Sequence, residues 1–285
     1  MKVIVAHHMW SRAGGAELVN AYVVRTLLEA GHEVVAVSTS GFEKEKYMEW
    51  FGINLRDVKV YSLLPKMLPL FGIYQRLGFY IPLRKAIKNE EPDVVFVDNE
   101  LYKPILKLKE RNMFRLLEYI HFPFHALWFE KGDVPEEYRE AFERYLADAR
   151  MYHKKYEKGW WRLYFRLWLK LHGRVARDNP FGTANVVMAN SRYIARLVKM
   201  LWDGEALVLN PPVKVRDFEP YSRKSFEERD DAVVMIGRIV PEKRIEDVID
   251  AITLTDAKPV LRVIGGLIPT TIPYKEELEL SLIHI

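Results

Sequence analysis

Cysteine is absent from this 285-residue sequence, which excludes a disulfide framework and any site built on a thiolate nucleophile or ligand. This absence favours the reducing cytoplasm as the protein's environment. Glutamine is nearly absent as well and occurs only at Gln75, whereas lysine, arginine and glutamate are abundant. That bias is typical of proteins from thermophiles, in particular hyperthermophiles.

Long apolar runs are also missing. No window reaches the ~18 consecutive uncharged apolar residues that a membrane-spanning helix requires. The N-terminus begins directly with a strand-like segment, Lys2 to Ala6, and lacks the apolar core and small-residue cleavage site of a signal peptide. The sequence therefore predicts a cytoplasmic protein that does not cross a membrane.

The remaining composition is that of an ordinary globular protein, with 49% hydrophobic and 29% charged residues. Its length predicts about one to two domains. A formal net charge of +4 favours anionic partners such as nucleotides, phospholipids or nucleic acid, without choosing among them.

Short apolar runs alternate with helical or loop-like segments along most of the chain. This alternation predicts an α/β fold with a doubly wound parallel sheet. We place an N-terminal domain at residues 1–210, a linker at 211–230 and the beginning of a second domain at 231–285. In such sheets ligands bind beyond the carboxyl ends of the strands, which directs attention to the residues that follow each strand.

The loop after the first strand ends in Gly14-Gly15-Ala-Glu17, at the start of a predicted helix. Free amide groups at a helix N-terminus can bind a phosphate or a sugar hydroxyl. The alternative is that Gly14 and Gly15 only permit a tight turn. The loop lacks the Gly-x-Gly-x-x-Gly fingerprint of dinucleotide enzymes, which counts against an NAD or FAD oxidoreductase.

Polar residues also follow three later strands. His121 ends an apolar run, Asn190-Ser191 follow another, and Asn210 follows a third. A histidine at a strand end can hydrogen-bond a sugar hydroxyl or a reacting group, and the structural alternative is that it caps the strand or fills the loop. The histidines show no metal-ligand spacing on one helix, so we predict no metal site.

The stretch from Gly237 to Lys243 lies between a predicted strand at 232–236 and a predicted helix that begins at Glu242. Glycine at the strand end lets the backbone approach a ligand closely, and Arg238 and Lys243 place two cations near the start of the helix. This pattern predicts a diphosphate site. The alternative is that both cations are solvated surface charges.

Two stretches are basic and aromatic. Residues 59–89 contain no acidic residue, and residues 150–178 contain nine Lys or Arg against two acidic residues. As a helix, the second stretch presents one basic stripe, formed by Arg162, Arg166, Lys170 and Arg174. We predict contact with an anionic membrane surface; the alternative is an aromatic face packed on the sheet with a solvated stripe. No RNA-binding signature accompanies these stretches, so we predict no nucleic-acid binding.

Six motifs occur in one order along the chain: Gly14-Gly15-Ala-Glu17, Gly31-His-Glu-Val-Val, Glu118-Tyr-Ile-His121, Ala189-Asn-Ser191, Asn210-Pro-Pro-Val213 and Gly237-Arg-Ile-Val-Pro-Glu-Lys243. Together they resemble the retaining family-4 glycosyltransferases of the GT-B architecture, in which two Rossmann-like domains face each other across a cleft. The likeness covers nearly the whole chain. The turns after Tyr119 and Asn210 further resemble the mannosyltransferases that extend lipid-linked oligosaccharides.

The resemblance implies one complete Rossmann-like domain with a parallel sheet and the beginning of a second Rossmann-like domain. It also implies that Gly237, Arg238 and Lys243 bind the diphosphate of a GDP- or UDP-linked sugar, where fixed cations stabilise the charge on the departing nucleotide. The reaction it implies is sugar transfer with retention, without a metal or other cofactor.

For the other half of the reaction, the resemblance implies that His121 contacts a sugar hydroxyl near the anomeric carbon. Gly14, Gly15 and Glu17 would form the acceptor or phosphate loop, and the cleft residues would be Asn190, Ser191 and Asn210. The implied enzyme transfers a sugar, mannose by the weaker likeness, to a lipid-linked or membrane-presented acceptor while bound peripherally to the inner membrane face.

One signature of the family, Glu-x₇-Glu in the second domain, does not occur after Lys243. Residues 265–285 also lack the family's remaining strands and C-terminal helix, so we expect a C-terminally truncated chain. The alternative function is therefore a catalytically inactive fragment that retains only acceptor or membrane binding. A nucleotide-sugar epimerase or phosphorylase fits less well, because neither Gly-x-Gly-x-x-Gly nor a Tyr-x-x-x-Lys pair occurs.

Overall fold

The computed structural model of the chain describes residues 1–68, 71–98, 101–112, 114–123, 136, 139, 143, 159–176, 179–267 and 271–283. By its internal contacts the chain divides into two compact units, and the boundary between them near the predicted linker lies between Val213 and Lys214.

The first unit is built on a parallel sheet in the order β3-β2-β1-β4-β5-β6-β7. Its strands are β1 (Lys2–Ala6), β2 (Glu33–Ser40), β3 (Lys59–Leu64), β4 (Val94–Asp98), β5 (Arg115–Ile120), β6 (Val186–Ala189) and β7 (Leu207–Val208). Every neighbouring pair is parallel. The predicted doubly wound parallel sheet is thus confirmed, and the strand order reverses between β1 and β4.

Helices lie in the crossover connections between these strands, as is usual for a parallel sheet. The described helices of the first unit are α1 (Gly15–Glu29), α2 (Lys46–Phe51), α3 (Gly72–Leu77), α4 (Tyr80–Glu90), α5 (Lys103–Asn112), α6 (Gly159–Val175) and α7 (Arg192–Trp202). Helix α1 ends as its sequence predicts: Gly31 follows it with φ of +77°, a left-handed conformation that glycine adopts without steric cost.

Strand β1 shows why the sheet is central. Val3 and Val5 pack into an apolar cluster with α1 and α2, whereas Ile4 and Ala6 pack into the cluster formed with α4 and α5. Alternate residues of one strand therefore bury both faces, as expected for a parallel sheet covered by helices on each side. This burial explains the uninterrupted apolar run at the N-terminus.

The second unit contains helix α8 (Val215–Ser222), strands β8 (Ala232–Ile236) and β9 (Val260–Ile264), and helices α9 (Ile245–Thr253) and α10 (Ile272–Ile283). Strands β8 and β9 pair in parallel. The segment that we predicted as a linker therefore contains a helix. Helix α9 also begins later than predicted, because a short 3-10 turn precedes it and Arg244 adopts a left-handed conformation with φ of +52°.

The core of the second unit is small. Ile245, Ile249 and Leu278 are buried against one face of the β8–β9 pair. Two other strand residues, Ile236 and Ile264, remain 77% and 56% exposed. Among the described residues, only one face of this two-stranded sheet is thus well covered.

The buried carboxylate of Glu90 contacts residues of two strands at the amino-terminal edge of the large sheet. Glu90, at the end of α4, lies 2.5 Å from Lys59 Nζ and 3.5 Å from Lys2 Nζ, and it accepts a hydrogen bond of 2.5 Å from the Tyr61 hydroxyl. Hydrogen bonds from Lys59 and Tyr61 lower the pKa of Glu90 against the opposing effect of burial. The contact ties α4 to β1 and β3.

We expect Glu90→Gln to lower the free energy of unfolding of the first unit by about 1 kcal/mol at neutral pH, since both lysines are partly solvated. A lowered folded-state pKa stabilises the protein above the unfolded-state pKa, and that contribution is lost as the pH falls through the folded-state value. Urea denaturation should therefore show the difference at about pH 7 and a smaller one near pH 3. If Glu90→Gln were more destabilising near pH 3 than at about pH 7, the result would contradict a charged Glu90 in the folded state.

Candidate functional site

Three polar side chains meet at the carboxyl edge of the large sheet, at the point where the strand order reverses. His7 follows β1, Asp98 is the last residue of β4 and His121 follows β5. Ligands of doubly wound sheets bind beyond this edge, at the reversal. The candidate site is therefore centred here.

Asp98 is fully buried and has three nitrogen atoms around one of its oxygens, Oδ2. Asn20 Nδ2 donates a hydrogen bond of 2.5 Å, and His121 Nε2 lies 3.1 Å away. His7 Nδ1 lies 3.0 Å away in an ion-pair contact. One carboxylate thus joins β1, α1, β4 and β5.

The electrostatics of this cluster favour a charged pair. Burial alone would lower the pKa of His7, but the Asp98 and Glu17 carboxylates raise it to about 9. Burial alone would raise the pKa of Asp98, but the charge of His7 and the hydrogen bond from His121 hold it well below its usual range. His7 and Asp98 are therefore an imidazolium and a carboxylate at neutral pH.

An aromatic anchor holds the loop between β1 and α1. Trp10 is fully buried, donates a hydrogen bond of 3.0 Å from Nε1 to the Val37 carbonyl, and stacks on Phe42. The Tyr47 hydroxyl donates a hydrogen bond of 2.7 Å to the Trp10 carbonyl. These contacts therefore anchor the loop, which carries the predicted acceptor residues, to β2 and α2.

The predicted acceptor loop lies beside the cluster. Glu17 Oε1 is 3.8 Å from His7 Nε2, and a Cβ on Gly14 would require only the flexible end of the Glu17 side chain to shift. A Cβ on Gly15 would instead meet no atom within 4 Å. Packing within the described part of the chain thus requires glycine at neither position.

The predicted cleft residues are connected to His121 through the backbone. Asn190 Nδ2 donates a hydrogen bond of 2.9 Å to the His121 carbonyl, and Asn210 Nδ2 donates one of 3.1 Å to the Asn190 carbonyl. Ser191 accepts a hydrogen bond from the Ile194 amide and caps α7. The two asparagine side chains thus connect the ends of β5, β6 and β7, whereas Ser191 caps a helix, and each can fill this role without a ligand.

His121, Gly14, Gly15 and Glu17 were predicted as site residues from the sequence, whereas Asp98, which contacts His121 and His7, was not. Asn20, which donates a hydrogen bond to Asp98, was not predicted as a site residue either. The available signal was a carboxylate that ends a fully apolar run, Val94 to Val97, where a solvated turn would be unusual.

In the second unit, the predicted diphosphate stretch leaves β8 beside the end of β9. The Gly237 amide donates to the Ile264 carbonyl, and the Gly237 carbonyl presses so closely on Gly265 that a Cβ on Gly265 would collide with it. The Lys243 side chain runs past Gly237, with Cε 3.5 Å from the position of a Cβ on that residue. This turn thus brings Lys243 back to the strand end.

Arg238 and Lys243 are both exposed, and neither forms an ion pair with a carboxylate of the described residues. The start of α9 is less open to an anion than we predicted. The Ile245 amide donates to the Tyr274 hydroxyl, and the first turn carries Glu246 and Asp247. The two cations, rather than the helix N-terminus, are what this stretch offers to an anion.

Helix α6 contains the described part of the second basic stretch, whereas residues 150–158 and 177–178 lie outside the described residues. Its inner side packs on α3: Tyr74 donates a hydrogen bond of 2.6 Å to the Tyr164 carbonyl, and Trp168 Nε1 donates one of 2.9 Å to the Ile73 carbonyl. The two basic, aromatic stretches predicted separately are therefore neighbours.

The outer side of α6 is both apolar and basic. Trp160, Leu163 and Leu167 are 56%, 71% and 51% exposed. The predicted stripe, Arg162, Arg166, Lys170 and Arg174, is exposed beside them. Part of the aromatic surface of α6 therefore packs on α3, and part is exposed to solvent.

Within the described ranges, no helix combines the length and hydropathy needed to cross a membrane. No group of three or more His, Asp or Glu side chains is arranged to hold a metal ion in that same part of the chain.

The family model of Glycosyltransferase Family 4 matches residues 13–204, more than half of the 285 residues. The chain belongs to Glycosyltransferase Family 4. The resemblance drawn from the six motifs is thus confirmed at the level of the family. No curated protein sequence matches the chain.

Solved structures share the fold. HepE from Anabaena in complex with UDP superposes with a TM-score of 0.56 at 13% identity, over 100% of this chain and 66% of that protein. The HepE complex with UDP and glucose gives 0.52 at 13% identity with the same coverage. A UDP-GlcNAc 2-epimerase from Neisseria meningitidis gives 0.49 at 11% identity, over 100% and 70%. The GT-B-like fold class is confirmed, and the chain spans about two thirds of the length of HepE.

The raised pKa of His7 predicts a pH dependence of stability. A folded-state pKa of about 9 stabilises the protein fully below the unfolded-state value near 6.5, and this contribution is lost as the pH rises through 9. We expect the free energy of unfolding to fall by up to about 3 kcal/mol across that window.

The matched variant is His7→Gln, which keeps a polar side chain but does not titrate. Chemical denaturation between these pH values should give a clearly flatter profile for His7→Gln than for the unsubstituted chain. Parallel profiles would show that His7 is not charged in the folded state.

Proposed function

We propose that this chain is a glycosyltransferase that moves a sugar from a GDP- or UDP-linked donor to an acceptor hydroxyl, with retention of the anomeric configuration. The observation that carries the proposal is His121, held by a buried carboxylate at the carboxyl edge of a family-4 sheet. This is where ligands of doubly wound sheets bind, and imidazole is a suitable partner for a sugar hydroxyl.

The donor diphosphate is assigned to Gly237, Arg238 and Lys243. Two exposed cations at one turn, without carboxylate partners among the described residues, fit a diphosphate better than an internal structural role does. As the bond between the anomeric carbon and the diphosphate breaks, negative charge grows on the leaving oxygen, and both cations stabilise it. The proposal therefore requires no resident metal or other cofactor.

The reacting sugar is assigned to the edge of the first unit. Its hydroxyl near the anomeric carbon pairs with His121, while the open space at Gly15 admits the sugar or the acceptor. The acceptor oxygen forms its bond to the anomeric carbon on the face that the diphosphate leaves, and its proton passes to the departing phosphate oxygen. Gly14 and Glu17 shape this loop, Asn190 and Asn210 hold the strand ends around it, and Ser191 caps α7 beside them.

The acceptor is assigned to a membrane surface. Exposed apolar side chains and a basic stripe on the outer side of α6, joined to α3, suit the interface of an anionic bilayer. A lipid-linked acceptor would be presented there, and mannose is the first sugar to test because of the turns after Tyr119 and Asn210. The enzyme would then act peripherally on the inner membrane face.

A second candidate is a catalytically inactive chain that retains only acceptor or membrane binding. The described part of the second unit has two strands, and the chain spans about two thirds of the length of HepE. Hydrolysis of nucleotide-sugars by the 285-residue chain separates the two candidates. Turnover of UDP- or GDP-linked sugar excludes the inactive one, whereas binding to acceptor or membrane without any turnover supports it.

Donor binding can be measured by calorimetry with UDP and GDP, and UDP is the first probe because HepE is described as a complex with it. We expect Arg238→Ala and Lys243→Ala each to weaken binding by about 10- to 100-fold, the usual effect of losing one charge-assisted hydrogen bond.

The control is Lys275→Ala, which removes an exposed cation from the same unit but one already paired with Glu279. It should leave the affinity unchanged. Equal affinities for Arg238→Ala, Lys243→Ala and the control would overturn the donor-site assignment.

Membrane contact can be measured by flotation with vesicles of phosphatidylglycerol and phosphatidylcholine. We expect the chain to float with anionic vesicles and to lose about 10-fold or more in binding in Arg166→Gln/Lys170→Gln, because each cation near an anionic surface contributes about 1 kcal/mol. Leu163→Gln/Leu167→Gln should weaken binding as well.

Leu28→Gln is the matched control, since Leu28 is an exposed leucine on α1. No flotation with anionic vesicles, or equal flotation of all variants, would contradict the membrane assignment.

A further inference from the structure

Three groups of His121 contact the rest of the protein: its Nε2 atom, its ring and its carbonyl. Its Nε2 faces Asp98 Oδ2 at 3.1 Å, its ring packs edge-on against Tyr119 with centroids 4.9 Å apart, and its carbonyl accepts the Asn190 side chain. The side chain is 21% exposed. Among the described residues, Nδ1 has no hydrogen-bond partner, although the other ring nitrogen does.

Asp98 accepts hydrogen bonds only, because it is ionised. Its position is fixed by the Asn20 amide and by the ion pair with His7, and it lies fully buried at the end of β4. A carboxylate next to a ring nitrogen requires the proton on that nitrogen. In the neutral form of His121, the proton therefore lies on Nε2 and the lone pair on Nδ1.

We propose that Asp98 is a positioning residue that fixes His121 in the Nε2–H tautomer, so that Nδ1 accepts a hydrogen bond from a hydroxyl of the bound sugar. Asp98 itself touches no substrate and acts only through His121. Asn20 and His7 serve the same end, because they hold the Asp98 oxygen in place. The sugar as the partner rests on the proposed function, whereas the tautomer does not.

The tautomer can be read directly from long-range ¹H–¹⁵N spectra of the imidazole rings in the full 285-residue chain. The His121 signals are assigned by their loss in His121→Gln. We expect the Nδ1 resonance of neutral His121 at the position of an unprotonated nitrogen and the Nε2 resonance at that of a protonated one. A protonated Nδ1, or a mixture of both tautomers, would overturn the proposal.

The matched pair of variants is Asp98→Asn and Glu90→Gln. Each replaces a buried carboxylate of the first unit by its amide, but Glu90 lies at the opposite edge of the sheet, against Lys2 and Lys59. We expect the tautomer preference of His121 to be lost in Asp98→Asn and kept in Glu90→Gln. If Asp98→Asn does not fold, the spectra of the unsubstituted chain still decide the question.

Steady-state kinetics give a second readout, because a residue with only a structural role would not change kcat while leaving the donor KM the same. With UDP- or GDP-linked sugar, Asp98→Asn should lower kcat by about 10- to 100-fold, the usual effect of losing a partner that orients a functional histidine, with little change in donor KM. An unchanged kcat in a folded Asp98→Asn variant would contradict the positioning role. If the unsubstituted chain shows no turnover, that result contradicts the proposed function. It does not contradict the tautomer of His121, which the spectra test separately.

Discussion

The site of the first unit depends on one buried carboxylate. Asp98 lies at the end of a central strand with no exposure to solvent, a position that would be strongly unfavourable for an unpaired charge. The His7 imidazolium compensates that charge, and Asn20 and His121 supply hydrogen-bond donors to the same oxygen. These contacts come from β1, α1 and β5, so a single group defines how three elements meet at the carboxyl edge.

The two candidate binding regions differ in their chemistry. The first supplies fixed, buried polar groups around His121, where a sugar hydroxyl can be oriented with little rearrangement. The second supplies two exposed cations, Arg238 and Lys243, next to a glycine turn that permits close backbone approach. Buried orientation suits the reacting sugar, whereas exposed cations suit a highly charged diphosphate that must bind and leave.

Much of the fold could be predicted from sequence, because apolar runs and the glycines after helices are local signals. β1 and β8 have the predicted bounds. The Asp98 cluster could not be predicted in this way, since it requires β1 to lie beside β4, and strand order is set by packing of the whole sheet. The contact of α3 with α6 was missed for the same reason: Tyr74 and Tyr164 are far apart in sequence. The later start of α9 depends on the backbone of Arg244, which no residue preference indicates.

The most direct measurement of the central claim is a crystal structure of the chain with an intact nucleotide-sugar bound. We expect His121 Nδ1 to lie within hydrogen-bond distance of a sugar hydroxyl while Nε2 stays on Asp98. A sugar bound away from His121, or an imidazole turned so that Nε2 faces the sugar and leaves Asp98, would contradict it.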